Sequence, residues 1–274
     1  MGSAGQPPLV RAVIIGVTGR MGQALLRAAP AFGQLLVTGA IASPASLALG
    51  RDASQLAGLA RSNLTVTSDL PRALAEADVA LDFSSSAATP GVLEACRRAR
   101  KALLLGTTGF GADLEAAINA AAREIPLLVA ANTSVGVAVL TELVRAAARA
   151  LPASFDIDVL EFHHRSKPDA PSGTALALGA AAAAARGIAL PAADAVRPGP
   201  RPEGEIAFAS VRAGDLVGEH TVMFSGAGEQ LSLTHRASDR AVFARGALQA
   251  ALWLASRPAG RYAMRDYLGF KTNT

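Results

Sequence analysis

Cysteine, histidine and aromatic residues are scarce in this chain of 274 residues. The single cysteine, Cys96, excludes an internal disulfide and fits a reducing, cytoplasmic location. The four histidines and one cysteine form no metal-ligand motif such as His-Glu-x-x-His, so we expect no bound metal. One Trp, two Tyr and nine Phe offer few rings for base stacking, and the basic residues behind the net charge of +4 are scattered. We therefore expect small anions as ligands rather than nucleic acid.

A long hydrophobic run is also absent. The one apolar stretch to consider, residues 180–185, consists of alanine and ends at Arg186. It is far shorter than the ~20 residues that a membrane-spanning helix needs. Residues 1–8 lack the apolar core of a secretory signal and are interpreted as a loose tail. Hydrophobic residues make up 51% of the chain, which is ample for a packed core, so we expect a soluble protein with no membrane partner.

A glycine-rich turn follows the first apolar run. Residues 9–15 predict a buried strand and residues 23–29 a helix, and between them stand Gly16, Val17, Thr18, Gly19, Arg20, Met21 and Gly22. In such a strand–turn–helix unit, glycines let the backbone approach a pyrophosphate while the helix N-terminus faces the phosphates. The spacing is GxxGxxG rather than GxGxxG, so the turn alone does not distinguish a dinucleotide site from a glycine turn without a ligand.

Further apolar runs alternate with helical stretches, as they do in βαβ units. The strand candidates are residues 35–42, 79–83, 102–105 and 127–131. Small polar turns follow three of them, at residues 84–86, 106–109 and 132–134. Ligands of a doubly wound parallel sheet bind beyond the carboxyl ends of its strands. We therefore predict a Rossmann-like α/β dinucleotide-binding domain with its cofactor crevice at these turns.

Ser43 occupies the place that decides between the two nicotinamide cofactors. An acidic residue at the end of the second strand would bind the adenosine ribose hydroxyls of NADH. Here no carboxylate opposes a 2′-phosphate, and Arg20 in the glycine turn is a candidate to contact one. These residues favour NADPH over NADH, and use of both cofactors stays open.

The second half of the chain has a different order of elements. It predicts helices at residues 135–150, 174–186 and 240–255, and strands at 157–162, 206–213, 219–224 and 230–235. Glycine-rich turns join the last three strands, as they join antiparallel strands. We expect an α+β substrate domain with a mixed open sheet over residues 135–240. Residues 1–134, completed by 241–274, form the predicted dinucleotide-binding domain.

Residues 161–174 hold two histidines, two further cations and a Ser-Gly-Thr turn at a helix start. Lys167 offers a positive charge, and Ser172, Gly173 and Thr174 offer N–H and hydroxyl donors to a carboxylate or phosphate. His163 and His164 point to opposite sides of an extended backbone, so one can donate a proton while the other holds substrate. We interpret residues 218–220 and His235 as structural strand residues.

Together these motifs resemble the 4-hydroxy-tetrahydrodipicolinate reductase (dihydrodipicolinate reductase) family over nearly the whole chain. The most specific stretch is the loop His-His-Arg-x-Lys-x-Asp-Ala-Pro-Ser-Gly-Thr at residues 163–174. The other matching stretches are residues 16–22, 82–84, 106–110, 131–137, 212–215 and 218–220.

The resemblance implies an enzyme that reduces 4-hydroxy-tetrahydrodipicolinate to tetrahydrodipicolinate in diaminopimelate and lysine biosynthesis. Hydride would pass from NADPH or NADH to C4 of the ring, with His163 and Lys167 as the proton-donating pair. The resemblance implies substrate carboxylates held by His164, Lys167, Ser172, Gly173 and Thr174. It implies cofactor contacts at residues 16–22, Gly106, Thr107, Thr108, Ala130, Ala131, Asn132 and Thr133, and a homotetramer assembled through the second domain.

Three positions depart from the family's usual pattern. Ser43 stands where an acidic residue is common, Thr133 replaces the Phe of Asn-Phe-Ser, and Ser166 replaces a common His before Lys167. The last two changes leave the implied acid and carboxylate-binding residues intact, so the expected chemistry is retained.

Two other functions fit parts of this pattern. A nicotinamide-dependent dehydrogenase for another small dicarboxylate or imino acid would use the same loop. A nucleotide sensor would bind the cofactor without turnover, although intact His163 and Lys167 argue against a degenerate enzyme.

Overall fold

The computed structural model of the protein describes residues 8–107, 110–190 and 200–270. Thr108 and most of the tail at residues 1–8 lie outside the described residues. The chain divides into two compact units, Met1–Ser134 with Ala241–Thr274 and Val135–Arg240. Within the described ranges, no helix has the length and apolar character that crossing a membrane requires.

Short strands and helices alternate along the first unit, and mostly longer ones make up the second. The strands are β1 Val10–Ile15, β2 Leu35–Ile41, β3 Val66–Thr67, β4 Val79–Asp82, β5 Ala102–Leu105, β6 Pro126–Val129, β7 Asp156–His163, β8 Ile206–Arg212, β9 Gly218–Gly226, β10 Glu229–Ala237 and β11 Gly260–Tyr262. The α-helices are α1 Arg20–Ala28, α2 Ala53–Leu56, α3 Leu70–Ala75, α4 Thr89–Ala99, α5 Ala112–Ala121, α6 Val135–Ala150, α7 Gly173–Arg186, α8 Ala241–Leu254 and α9 Met264–Tyr267. A 3₁₀ turn, Ala29–Ala31, follows α1.

The first unit is a parallel sheet in the order β11-β6-β5-β4-β1-β2-β3. Helices α4 and α8 both contact β4 and β5, so the central strands are covered by helices and need apolar side chains on both faces. All of β4 and β5 is buried, including Leu103, Leu104 and Leu105. Burying such a leucine stabilises the fold by roughly 1.5–3 kcal/mol. The predicted Rossmann-like fold is confirmed.

Two strands of this sheet escaped sequence reasoning. β3 and β11 are two and three residues long and lie at the two edges of the sheet. Strands this short carry no alternating or continuous apolar run, so only pairing with a neighbour defines them.

The second unit has a mixed sheet in the order β10-β9-β7-β8. Central strand β7 pairs parallel with β8 and antiparallel with β9. Alternate residues of β7 face the core, where Ile157 and Val159 pack with residues of α6 and α7. The next two residues on that face are Glu161 and His163, both buried. The hydrophobic face of β7 therefore ends in a carboxylate and an imidazole.

The sequence predicted that β8, β9 and β10 pair in an antiparallel arrangement. The prediction is correct only for β9 and β10, which form a hairpin. β8 does not pair with β9, because β7 lies between them. The connection through α7 is long enough for the crossover that parallel pairing of β7 and β8 requires. The fold is otherwise the predicted α+β domain with a mixed open sheet.

Candidate active site

The glycine turn between β1 and α1 brings backbone segments into contact that a side chain would separate. Gly16 has a φ of +80°, and a Cβ there would lie 2.6 Å from the Phe83 carbonyl oxygen. A Cβ on Gly22 would lie 2.4 Å from the Gly16 carbonyl oxygen. Gly19 precedes α1 and provides no side-chain cap, so the first amides of the helix are available to an anion.

A cavity of about 660 Å³ opens at the carboxyl edge of this sheet. Gly16, Thr18 and Gly19 line it from the glycine turn, Ser43 lines it after β2, and Ser84 lines it after β4. Its volume lies within the ~300–1,000 Å³ range of cofactor pockets. The glycine turn, the start of α1 and the cavity therefore fit a dinucleotide. Ser43 follows the second strand and lines this cavity.

Two other residues of the glycine turn, Val17 and Arg20, differ in solvent exposure. Val17 is fully buried, so its side chain belongs to the core and only its backbone is available to a ligand. Arg20 is exposed at the start of α1.

Several residues that were predicted to contact the cofactor line a second cavity, of about 210 Å³. It is lined by Met21, Phe83, Gly106, Ala130, Ala131, Asn132, Thr133 and Phe243. The Thr133 hydroxyl donates to the Phe243 carbonyl oxygen at 2.7 Å, and Thr133 is 2% exposed. Sequence reasoning did not find Phe243, because 110 residues separate it from Thr133.

Asp82 is a fully buried carboxylate at the end of β4. It accepts hydrogen bonds from the Ser84 N–H at 3.0 Å and the Ser84 hydroxyl at 2.5 Å. The Thr89 hydroxyl lies 3.4 Å from its other oxygen and 3.2 Å from the hydroxyl of buried Thr107. Burial raises the pKa of Asp82, although the bonds from Ser84 and Thr89 oppose the rise. This network joins the turns after β4 and β5.

Replacing Gly22 by Ala tests the close approach within the glycine turn. The added methyl would overlap the Gly16 backbone, so we expect Gly22→Ala to lose about 1–3 kcal/mol of folding stability and to bind NADPH more weakly. Gly33→Ala is the matched control, since a Cβ on Gly33 meets no described atom within 4 Å. Thermal unfolding and NADPH titration measure both effects, and equal results for the two variants would contradict the assigned role of Gly22.

In the second unit, Glu161 joins groups from three elements. Arg212 on β8 donates from Nη2 to Glu161 Oε1 at 2.6 Å and from Nη1 to Oε2 at 2.9 Å. The Ser172 N–H donates to Oε1 at 3.2 Å, and His163 Nδ1 contacts Oε2. Burial raises the pKa of Glu161, but hydrogen bonds from Arg212, Ser210 and His163 outweigh burial and hold the pKa at about 2. Glu161 is therefore ionised.

His163 lies at the carboxyl end of β7 and is 9% exposed. Its ring meets that of His220 edge-on, with centroids 5.1 Å apart. Burial lowers the pKa of His163 below its ordinary value, and the opposing effect of Glu161 does not restore it. Burial lowers the pKa of His220 to about 4. Both rings are therefore neutral at neutral pH.

The loop after β7 places Lys167 near this cluster. Its Nζ donates to both carboxylate oxygens of Asp169, at 2.8 and 2.9 Å. Arg212 also donates to the backbone oxygen of Asp169, at 2.6 Å. Burial raises the pKa of Asp169, but the hydrogen bond from Lys167 outweighs burial and lowers the pKa. His164 Nδ1 lies 2.9 Å from the hydroxyl of Ser166.

Ser172 caps helix α7. Its hydroxyl accepts from the Ala175 N–H at 3.2 Å and lies 3.0 Å from His220 Nε2. Ser172 is 2% exposed, so its hydroxyl faces these protein groups and orients the first turn of the helix. Gly173 is exposed and Thr174 half-buried in the first turn, where helix amides favour an anion.

The structure thus brings together four residues for which sequence reasoning predicted no part in binding or proton transfer. Glu161, Asp169, Arg212 and His220 come from β7, the loop, β8 and β9. One signal was present for Glu161: it follows Ile157 and Val159 at the two-residue spacing of a strand's buried face.

Comparison with known proteins places both units in one family. A family model described as the N-terminus of dihydrodipicolinate reductase matches residues 10–133, and one described as its C-terminus matches residues 136–268.

Named relatives and a solved structure agree with these matches. The 4-hydroxy-tetrahydrodipicolinate reductase of Alkalilimnicola ehrlichii is 49% identical over 263 residues, covering 94% of this chain and 98% of that protein. Its counterpart from Rhizobium rhizogenes is 46% identical over 269 residues, covering 96% and 98%. Dipicolinate-bound dihydrodipicolinate reductase from Paenisporosarcina sp. superposes with a TM-score of 0.72 at 23% identity, covering 93% of this chain and 97% of that chain. The last comparison shows a shared fold.

Proposed function

The chain belongs to the dihydrodipicolinate reductase family, and on this premise we propose that it reduces 4-hydroxy-tetrahydrodipicolinate to tetrahydrodipicolinate with NADPH or NADH, in the diaminopimelate route to lysine. Within the chain, one observation carries the proposal. The second unit holds His163, Lys167 and the amide-rich start of α7 at the end of one strand, as a proton donor and anion site require.

The substrate carboxylates bind at Lys167, His164 and the first turn of α7. In the free protein Lys167 pairs with the carboxylate of Asp169. The substrate carboxylate takes the place of the Asp169 carboxylate at Lys167. Gly173 and Thr174 donate from the helix start. Ser172 belongs to this set through its cap, which fixes the direction of the helix amides.

His163 supplies the proton that completes the reduction, and Lys167 supports it with positive charge at the substrate. Burial keeps His163 neutral in the free protein, so the imidazole takes up its proton when an anionic substrate adds negative charge nearby. A buried imidazole with a neighbouring carboxylate suits such a general acid.

Residues of the first unit hold the cofactor. The glycine turn of residues 16–22 and Ser43 bind at the larger cavity, and Gly106, Ala130, Ala131, Asn132 and Thr133 bind at the smaller one. Thr107 is buried beside Thr89 and contributes mainly through its backbone. The 4-hydroxyl of the substrate leaves as water to give an unsaturated ring, and NADPH or NADH, when bound, supplies the hydride for C4 of that ring. Thr108 remains a proposed contact outside the described residues.

NADPH is the preferred cofactor in this proposal, because the Ser43 side chain at the larger cavity carries no charge to oppose a 2′-phosphate. We expect Ser43→Glu to lower the ratio of kcat/KM for NADPH to that for NADH about tenfold, which corresponds to about 1.4 kcal/mol. Ser43→Ala, which removes the hydroxyl without adding charge, is expected to leave the ratio near that of the unchanged protein. An unaltered ratio in Ser43→Glu would place the ribose contact on another residue.

Assembly and location complete the proposal. We propose a homotetramer built through the second unit, in the cytoplasm. Exposed large apolar residues of that unit, including Val211 at 41% and Leu231 at 40%, support a covered surface there. Light scattering during size exclusion measures the mass, and a monomeric mass would contradict the tetramer.

The test of the reaction is substrate-dependent oxidation of NADPH. Pyruvate and aspartate semialdehyde, with a condensing enzyme, generate fresh 4-hydroxy-tetrahydrodipicolinate in the assay. We expect rapid oxidation with this cyclic substrate and none with open-chain keto or amino acids. Turnover of an open-chain acid alone would favour an amino-acid dehydrogenase, and cofactor binding without turnover of either substrate would favour a nucleotide sensor.

A further inference from the structure

Glu161 is a buried charge that the proposed reaction does not use directly. It is 0% exposed on the central strand of its sheet, and both of its oxygens are occupied. A buried carboxylate is costly unless it is paired and hydrogen-bonded, and an apolar residue would continue the core face of β7. Its contact with His163 Nδ1 points to a role in orienting that ring.

The contact fixes which ring nitrogen of His163 exchanges protons. An ionised carboxylate only accepts hydrogen bonds, so the hydrogen between the two groups belongs to His163 Nδ1. In the neutral ring Nε2 is then the unprotonated nitrogen, and in the charged ring Nε2 carries the proton that can leave. Proton uptake and delivery are restricted to one atom.

Arg212 keeps the carboxylate in the state that this arrangement needs. Nη1 and Nη2 of its guanidinium pair with the two oxygens of Glu161 in a bidentate interaction. Strand register places Arg212 opposite His163, so one arginine braces the carboxylate beside the ring. The Ser172 N–H adds a third donor and links Glu161 to the start of α7.

We propose that Glu161, braced by Arg212, is the positioning residue of the proton donor: it fixes His163 as the Nδ1–H tautomer, so that Nε2 delivers the proton to the substrate. The proposal rests on the proposed function for the identity of the reaction. The tautomer itself is a property of the free protein and does not depend on the substrate.

Several charged or titratable groups face His163 from the surrounding elements. They are Glu161 on β7, Lys167 in the loop, Arg212 on β8 and His220 on β9, and Asp169 pairs with Lys167. Within this set Glu161 makes the direct hydrogen bond to the ring and stabilises the protonated form, whereas Lys167 and Arg212 disfavour it. Loss of the Glu161 charge therefore shifts protonation of His163 to lower pH.

Glu161→Gln tests the proposal through the pH profile of kcat/KM. A general acid must be protonated, so activity falls as pH rises through its pKa. We expect the alkaline limb of Glu161→Gln to move to lower pH by about one unit or more, with a loss of at least about tenfold near pH 8. The loss should shrink as the pH falls through the lowered pKa of His163 in the variant, because the imidazole regains its proton there. A merely structural loss would not recover in this way.

Asp158→Asn is the matched control. Asp158 lies on the same strand and also pairs with an arginine, Arg201, at 2.5 Å, but it does not contact His163. We expect this variant to keep the wild-type pH profile. Thermal unfolding followed by circular dichroism shows whether each variant is folded.

Long-range proton–nitrogen NMR of labelled histidine reads the tautomer directly. With only four histidines in the chain, His163→Gln identifies the His163 signal by its loss. We expect the Nδ1–H form of His163 in the wild-type protein. An Nε2–H form there would overturn the proposal even if Glu161→Gln does not fold, and so would a folded Glu161→Gln variant with the wild-type alkaline limb. Failure of the proposed function, in contrast, appears as absent turnover by the wild-type protein with the tautomer unchanged.

Discussion

The His163→Ala variant is expected to lose about 10²- to 10⁴-fold in kcat, because a positioned general acid contributes that much to a proton transfer. His163 ends β7 beside the buried Glu161–Arg212 pair and contacts Glu161 through its ring Nδ1. His220 lies edge-on to the ring, but its pKa of about 4 keeps it unprotonated at neutral pH. It is therefore a poor replacement.

Binding of NADPH to His163→Ala is expected to stay close to that of the unchanged protein. The proposed cofactor contacts lie in the first unit and His163 lies in the second. Fluorescence titration with NADPH and stopped-flow measurement of its oxidation separate binding from turnover. Unchanged kcat would remove His163 from the acid role.

The Lys167→Ala variant is expected to lose about 10²- to 10³-fold in kcat/KM, with KM for the substrate rising and kcat falling. Removing one partner of a desolvated charge pair costs about 2–5 kcal/mol, and each 1.4 kcal/mol is about tenfold. In the free protein the change also releases Asp169, whose carboxylate would then repel the substrate. Both effects act in the same direction.

Arg165→Ala is the matched control for Lys167→Ala. Arg165 is an exposed cation of the same loop, and its backbone N–H donates to the Gly214 oxygen, a bond that the substitution leaves in place. We expect it to keep kcat/KM within about twofold, since exposed charges contribute little. Steady-state kinetics over a range of substrate concentration measure both variants. Retained activity in Lys167→Ala would place the carboxylate site elsewhere.

Sequence reasoning could predict the parts of this protein that local pattern encodes. Helix α6 begins and ends as predicted, at residues 135 and 150, because its apolar residues recur at helical spacing. The strand–turn–helix unit around Gly16 and Gly22 followed from glycine chemistry, and the close backbone contacts give it a physical reason. The loop from His163 to Thr174 was specific enough to suggest the chemistry.

The remainder depends on pairing between distant strands. Arg212 reaches Glu161 across 51 residues, and His220 meets Ser172 across 48, through a strand order that the sequence does not encode locally. The parallel pairing of β7 with β8 places both partners at the same end of the sheet. A charged residue on the buried face of β7 showed that a partner must exist, but not which residue it is.

The most direct test of the central claim follows the hydride itself. NADPH deuterated at the transferable position of the nicotinamide is incubated with the protein and freshly generated 4-hydroxy-tetrahydrodipicolinate, and the product is analysed by mass spectrometry and NMR. The account predicts tetrahydrodipicolinate with one deuterium at C4 for each NADPH oxidised. A product without deuterium, or oxidation that yields no tetrahydrodipicolinate, would contradict it.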